Sequence, residues 1–241
     1  VPYERRQNLA VIDLEKGTKN LLTNFKDKQV QGPLWANDTR ILFRVDDDGQ
    51  ESYSLYAVNR DGSDPVILAT GYARSGSTGE INSRFTGLLR RLRNDKQHIL
   101  VTARINNTDW NDVARMNLRT GRMTVVAPAP GNVITYVLDR NDEVRAAVVQ
   151  DPDWTRRVLY REKAGQPWKE IFKHGYEEPG WVPITFDGDN RTLFMASNLG
   201  RKTYALYRYD TQTHQLSAEP LIADDTFDVV WNSGGSFTGL Q

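Results

Sequence analysis

The stretch Leu206-Tyr-Arg-Tyr-Asp-Thr-Gln-Thr213 reads as an apolar strand running into a polar turn, and the chain carries four earlier versions of it. These are Leu9-Ala-Val-Ile-Asp-Leu-Glu-Lys-Gly17, Leu55-Tyr-Ala-Val-Asn-Arg-Asp-Gly62, Val113-Ala-Arg-Met-Asn-Leu-Arg-Thr-Gly121 and Val158-Leu-Tyr-Arg-Glu-Lys-Ala-Gly165. Their apolar markers Ile12, Val58, Met116, Tyr160 and Tyr209 stand 46, 58, 44 and 49 residues apart. A period in the forties built from short strands predicts an all-β fold, a β-propeller of four-stranded antiparallel blades.

A second turn precedes another apolar strand in each unit: Asn37-Asp38-Thr39, Asn94-Asp95-Lys96, Asn141-Asp142-Glu143 and Asp187-Gly188-Asp189-Asn190. Asn, Asp and Gly accept left-handed backbone angles and bond their own main chain, so these segments close hairpins. The strands that follow, Ile41 to Val45, His98 to Ala103, Val144 to Val149 and Thr192 to Ala196, are apolar nearly throughout, as suits a strand covered on both faces. One propeller domain over residues 1–241 follows, with complete blades at Gly32 to Ala69, Gly87 to Ala127, Val133 to Phe172 and Val182 to Ile222. Partial blades occupy 8–22 and 226–241, and the Gly- and Ser-rich residues 70–84 form an inserted loop. No helical periodicity is sustained. The half-blades leave two readings, a five-bladed ring closed by the two ends or an excerpt of a larger propeller; the start at Val1 points to the excerpt.

Composition narrows the function. Thirty-one basic and 31 acidic residues cancel, so no global field favours nucleic acid or an anionic membrane, and Arg90, Arg91 and Arg93 read as the solvated end of a strand. The chain has no Cys, which excludes disulfides, thiolate catalysis and Cys-based zinc sites and fits cytoplasm and periplasm alike. No apolar run approaches the ~18 residues needed to span a bilayer.

Catalytic signatures are sparse. The nearest approach to a G-x-S-x-G elbow, Gly234-Gly235-Ser236-Phe237-Thr238, ends in Thr and lacks the strand-to-helix setting that the elbow needs, so Ser236 reads as a turn or strand residue. His98, His174 and His214 show no metal-ligand spacing and read as structural or exposed. Asp46-Asp47-Asp48-Gly49 lacks the alternating ligands of a calcium loop and reads as a hairpin tip. No glycine-rich segment ends in Lys-Ser/Thr before a helix, so these motifs imply no cofactor. The six tryptophans recur once or twice per unit, which points to packing at blade cores and edges. A lyase or glycosidase site in the channel would need convergent polar groups, which the sequence does not mark.

The segment Tyr176-Glu177-Glu178-Pro179-Gly180-Trp181 stands apart. It falls between the fourth and fifth units, where connections look across a propeller's mouth. Two adjacent carboxylates there suit a cationic group such as a peptide α-amine. The alternative is an exposed acidic loop.

Three segments, Asp228-Val-Val-Trp231, Asn190-Arg-Thr-Leu-Phe-Met-Ala-Ser-Asn198 and Ala205-Leu-Tyr-Arg-Tyr-Asp210, resemble the propeller domain of prolyl oligopeptidase family peptidases, closest to the dipeptidyl and acylaminoacyl branches. The periplasmic TolB type shares this repeat grammar and supplies an alternative, a stand-alone protein-binding propeller. The resemblance implies a serine peptidase whose α/β-hydrolase domain, absent from this chain, carries the Ser, Asp and His. Its propeller admits small peptides and excludes folded proteins. The implied partners are thus that hydrolase domain and peptide substrates, and the chain alone is expected to be non-catalytic. In the dipeptidyl branch a motif Asp-Trp-x-Tyr-Glu-Glu-Glu holds the substrate's amino terminus. Tyr176, Glu177 and Glu178 match its Tyr and first two acids, whereas Lys173 and His174 replace Asp and Trp, and Pro179 replaces the third acid.

Overall fold

A computed structural model of the chain describes residues 2–3, 5–46, 53–70, 85–107 and 109–229. The hairpin tip at Asp47 to Gly49, nearly all of the inserted loop 70–84, Ser236 and most of the last partial blade lie outside the described residues. All regular structure among the described residues is β.

Two short ribbons come first: β1 (Pro2–Tyr3) with β2 (Arg6–Gln7), and β3 (Ala10–Asp13) with β4 (Thr18–Leu21). Four four-stranded sheets follow, each ordered as its strands occur in the chain. The first holds β5 (Val30–Trp35), β6 (Arg40–Asp46), β7 (Tyr53–Asn59) and β8 (Val66–Ala69). The second holds β9 (Phe85–Arg91), β10 (His98–Ala103), β11 (Asp112–Asn117) and β12 (Met123–Ala127). The third holds β13 (Val133–Leu138), β14 (Val144–Gln150), β15 (Arg156–Tyr160) and β16 (Lys169–His174). The fourth holds β17 (Trp181–Phe186), β18 (Thr192–Ser197), β19 (Ala205–Asp210) and β20 (Gln215–Leu216). Antiparallel four-stranded meanders in series are propeller blades.

The chain divides into two compact units, Val1–Ile105 with Ala114–Val125 and Asn106–Val113 with the chain from Val126 onward. In the first unit, Leu42, Ala57 and Leu68 of one sheet share a core with Ile99, Val101 and Met116 of the next. In the second unit, Val137, Val158 and Tyr160 pack against Phe186, Leu193, Met195 and Tyr209 across the third and fourth sheets. Each of the Val, Leu, Ile, Phe and Met side chains among them contributes about 1.5–3 kcal/mol by leaving water. Second strands are sandwiched, so β14 is buried from Val144 through Val149 and breaks the usual alternation.

Ladders within a blade differ. The first ladder of each complete blade carries a register shift, at Gln31/Leu34, Leu100/Val101, Val133/Thr135 and Pro183/Thr185. The described second ladders, β6 with β7, β14 with β15 and β18 with β19, run unbroken. The outer ladders β7 with β8 and β15 with β16 are shifted as well, at Leu55/Tyr56 and Val158/Leu159, so the bulges, which raise local twist, fall on ladders that include an edge strand. Pro33 and Pro183 lie on those same first strands, where an absent N–H costs no central ladder bond.

The turns follow from Asx chemistry. The carboxylate or amide oxygen of Asp13, Asn117 and Asp210 accepts the N–H groups two and three residues ahead at 2.8–3.2 Å. The residue four ahead then turns left-handed: Gly17 at φ 64°, Gly121 at φ 69° and His214 at φ 57°. Glycine is the economical choice there, and His214 is a departure that costs about 1 kcal/mol.

Candidate functional site

Successive strands of a meander reverse, so their connections alternate between two ends of the blade. In the second unit, one end is made of the turns 139–143, 161–168, 187–191 and 211–214, and the other of 151–155, 175–180 and 198–204. The ends have opposite chemistry.

At the first end the carboxylates bond mainly to their own turns and to arginines, although Arg161 Nη2 and Arg140 Nε stay buried without a hydrogen-bond partner among the described residues. Asp139 Oδ1 accepts the N–H groups of Asn141 and Glu143 at 2.9 and 3.0 Å, and its Oδ2 meets Arg145 Nη1 at 3.1 Å. Arg145 also donates to Arg161 O at 2.8 Å and to the Tyr160 hydroxyl at 2.7 Å, and its guanidinium lies 5.2 Å from the Phe186 ring centroid. Arg161 donates to Val144 O at 2.8 Å and lies 4.4 Å over Trp168. Hydrogen bonds from Arg191 and from the Gln212 and Thr213 N–H groups hold the Asp210 carboxyl down at about 2. Burial, reinforced by Tyr160 and Asp210, pushes the Tyr209 hydroxyl up to about 12. These charges are spent on holding turns together.

The second end exposes aromatic and apolar side chains: Trp154 and Tyr176 are 58% and 66% accessible, and Leu199 is also exposed. Trp154 holds φ 66°, in the left-handed region that a bulky side chain avoids. Its ring meets Tyr176 edge-on, with centroids 5.8 Å apart. Trp154 N–H donates to Asp151 O at 2.9 Å, which closes the turn.

Tyr176, Glu177 and Glu178 all lie on the 175–180 connection, and the structure separates their duties. Glu178 Oε2 accepts the Gly175 N–H at 2.6 Å, and the Glu178 N–H reaches Gly175 O at 3.3 Å, so this carboxylate closes its own turn. Glu177 is exposed and makes no hydrogen bond or ion pair among the described residues. The connection is braced from below by His174, which is 6% exposed. His174 Nδ1 donates to Gly175 O at 2.8 Å, and the ring fills the space beside Gly180, where a Cβ would stand 2.6 Å from Cε1. From the next blade, Asn198 Oδ1 accepts the Gly180 N–H at 2.8 Å. Trp181 then stacks on Phe172 at 4.4 Å.

Trp181 and Trp168 pack as expected, but Trp110 and Trp154 stand exposed on connections rather than in blade cores. A signal for this was in the sequence: the pair Asp-Trp occurs at 109–110 and 153–154, one 44-residue period apart. Among the described residues no three His, Asp or Glu side chains converge as metal ligands. His98 is engaged by Asp95 at 2.8 Å, and burial is outweighed there by hydrogen bonds from Arg115, Gln97 and His98 that hold Asp95 at about 2.

No protein-family model matches the chain. Dipeptidyl aminopeptidase BIII of Pseudoxanthomonas mexicana is 23% identical over 175 residues, which cover 70% of this chain and 23% of that protein. The solved structure of a prolyl endopeptidase, from work on two such enzymes and their inter-domain dynamics, superposes with a TM-score of 0.59 at 10% identity, over 91% of this chain and 33% of that one. A serine-to-alanine variant of puromycin hydrolase gives a TM-score of 0.50 at 15% identity, over 88% and 32%. These likenesses show the fold, a β-propeller similar to the matched regions of a dipeptidyl aminopeptidase, a prolyl endopeptidase and a puromycin hydrolase. This propeller spans less than a quarter of its curated relative and about a third of each solved one.

Proposed function

We propose that this propeller gates and positions peptide substrates for the α/β-hydrolase domain of a prolyl-oligopeptidase-like serine peptidase, and that it does no bond chemistry itself. The observation that supports this most is the contrast at the second end of the blades. There, Glu177 projects without a partner among the described residues, beside the exposed Trp154–Tyr176 pair. Holding a remote part of a peptide orients its scissile bond, and binding spent this way lowers the barrier for correctly placed substrates. Glu177 offers an ion pair to a substrate's α-ammonium, Tyr176 and Trp154 offer apolar surface to the adjoining side chain, and Glu178 keeps the connection in shape.

An exposed ion pair contributes about 0–1 kcal/mol, which sets the expected effect. In the full-length peptidase, Glu177→Gln is expected to raise KM for a free-amine dipeptide substrate about 3–5-fold, leaving kcat and the turnover of an amine-blocked substrate unchanged. An unchanged KM removes Glu177 as an amine anchor. The 241-residue chain alone is expected to give no turnover of aminoacyl or dipeptidyl chromogenic substrates. Reproducible turnover from it would overturn the gating reading.

A further inference from the structure

A cleft of ≈ 470 Å³ opens beside the Trp154 turn, and none of its lining belongs to the acidic connection. Its apolar walls are Trp110, Pro130 and Pro152, and its charged groups are Asp109, Asp151 and Arg157. The size lies in the range of small-ligand sites. Charge accounting then selects the ligand. Arg157 Nε and Nη2 grip the two oxygens of Asp151 at 2.8 and 2.9 Å, so that pair closes on itself. Asp109 is exposed, and its carboxylate makes no hydrogen bond or ion pair among the described residues, which leaves the cleft one negative charge in excess. An anion is repelled there, and a purely apolar group would strip water from the Asp109 carboxylate without return. A cation gains on both counts, since an indole attracts positive charge to its face and the carboxylate adds an ion pair.

We propose that this cleft binds the guanidinium or ammonium head of a basic side chain in a peptide, the alkyl stem lying along Trp110, Pro130 and Pro152. Long basic side chains divide themselves in this way, stem on apolar surface and head at the polar rim. The proposal rests on the reading of this end as peptide-facing, and it adds a preference for a basic residue that the Glu177 amine contact does not supply.

The test uses the 241-residue chain and the blocked tripeptide acetyl-Gly-Arg-Gly-amide, followed by the indole N–H resonances. Blocking both ends removes the α-amine and leaves the guanidinium as the peptide's one cation, so a Kd unchanged in Glu177→Gln is expected if the cleft, and not Glu177, holds it, and a Kd weakened as much as in Asp109→Asn would overturn the assignment. The peptide is expected to shift the Trp110 resonance, identified with Trp110→Phe, with a millimolar Kd. The uncharged citrulline analogue is expected to bind at least about 3-fold more weakly, and Asp109→Asn to weaken the arginine peptide about 3–5-fold. Both substitutions are at exposed positions, and the dispersion of the remaining resonances reports folding. Equal binding of arginine and citrulline peptides, an unchanged Kd in Asp109→Asn, or no Trp110 shift at about 10 mM peptide would each overturn the cleft assignment. Any of these results leaves the amine-anchor experiment standing, and an unchanged KM there leaves this one standing.

Discussion

The two ends of the blades in the second unit are made by the same chain reversals, yet the first spends its carboxylates Asp139 and Asp210 on its own turns, whereas the second leaves Glu177 and two aromatic rings exposed. At the turn end, Asp139, Arg145, Arg161 and Asp210 serve backbone amides, carbonyls or each other. At the opposite end, Glu178 closes a turn while Glu177, Trp154 and Tyr176 face solvent. Folding accounts for the first set. It gives no reason for the second, and residues that the fold does not require are where function is to be sought.

Substitution can break this contrast at either end. The largest effect is expected from Asp139→Ala, which removes the nearer of the two carboxylates beside the buried Arg145 guanidinium, leaving Glu162 at 3.9 Å, and takes the acceptor from two turn amides. Urea unfolding should show a loss of about 3–5 kcal/mol. A loss under about 1 kcal/mol would mean that the turn end is no more structural than its counterpart.

Gly180→Ala comes next, because the new methyl meets the His174 ring at 2.6 Å and neither the brace nor the blade below can yield freely. About 1–3 kcal/mol should be lost. The double variant with His174→Ala should lose less than the sum of the single changes, since the clash disappears with the ring. Additive losses would show that His174 does not brace this connection.

Gly165→Ala tests the turn end more gently. Nothing lies within 4 Å of the added methyl, so only the left-handed φ of 80° opposes it, and about 1 kcal/mol is expected. The smallest change in stability belongs to Trp154→Gly, which relieves the left-handed strain while giving up the edge contact with Tyr176. These terms offset to within about 0.5 kcal/mol, whereas on the proposed gating role KM for a peptide substrate of the full-length protein should rise. A large loss of stability would make Trp154 a structural residue.

The strands were legible because their signal is local. Ile41 to Val45 is seen as Arg40–Asp46, His98–Ala103 is seen unchanged, and Thr192 to Ala196 is seen as Thr192–Ser197. Turn residues with φ > 0, Gly17, Gly121, Asp142 and Asn190 among them, fall within the quoted turns. The site was legible only in part. The carboxylate pair at 177–178 was visible, but its division into a turn acceptor and a projecting acid was not, because that depends on how Gly175 closes over Glu178. His174 as a brace and the Trp110 cleft depend on residues brought together from separate connections. The Asp-Trp pairs marked two tryptophans as equivalent without showing that they face water.

What the sequence by itself determined was the repeat, the strands and the turns between them, since each rests on residues within about ten positions of one another and on the hydrogen bonds their own side chains can make. What only the tertiary structure decided was which polar and aromatic groups were left unused. That depends on stacking one sheet against the next, which buries Arg145 beside Asp139 and leaves Glu177 in water.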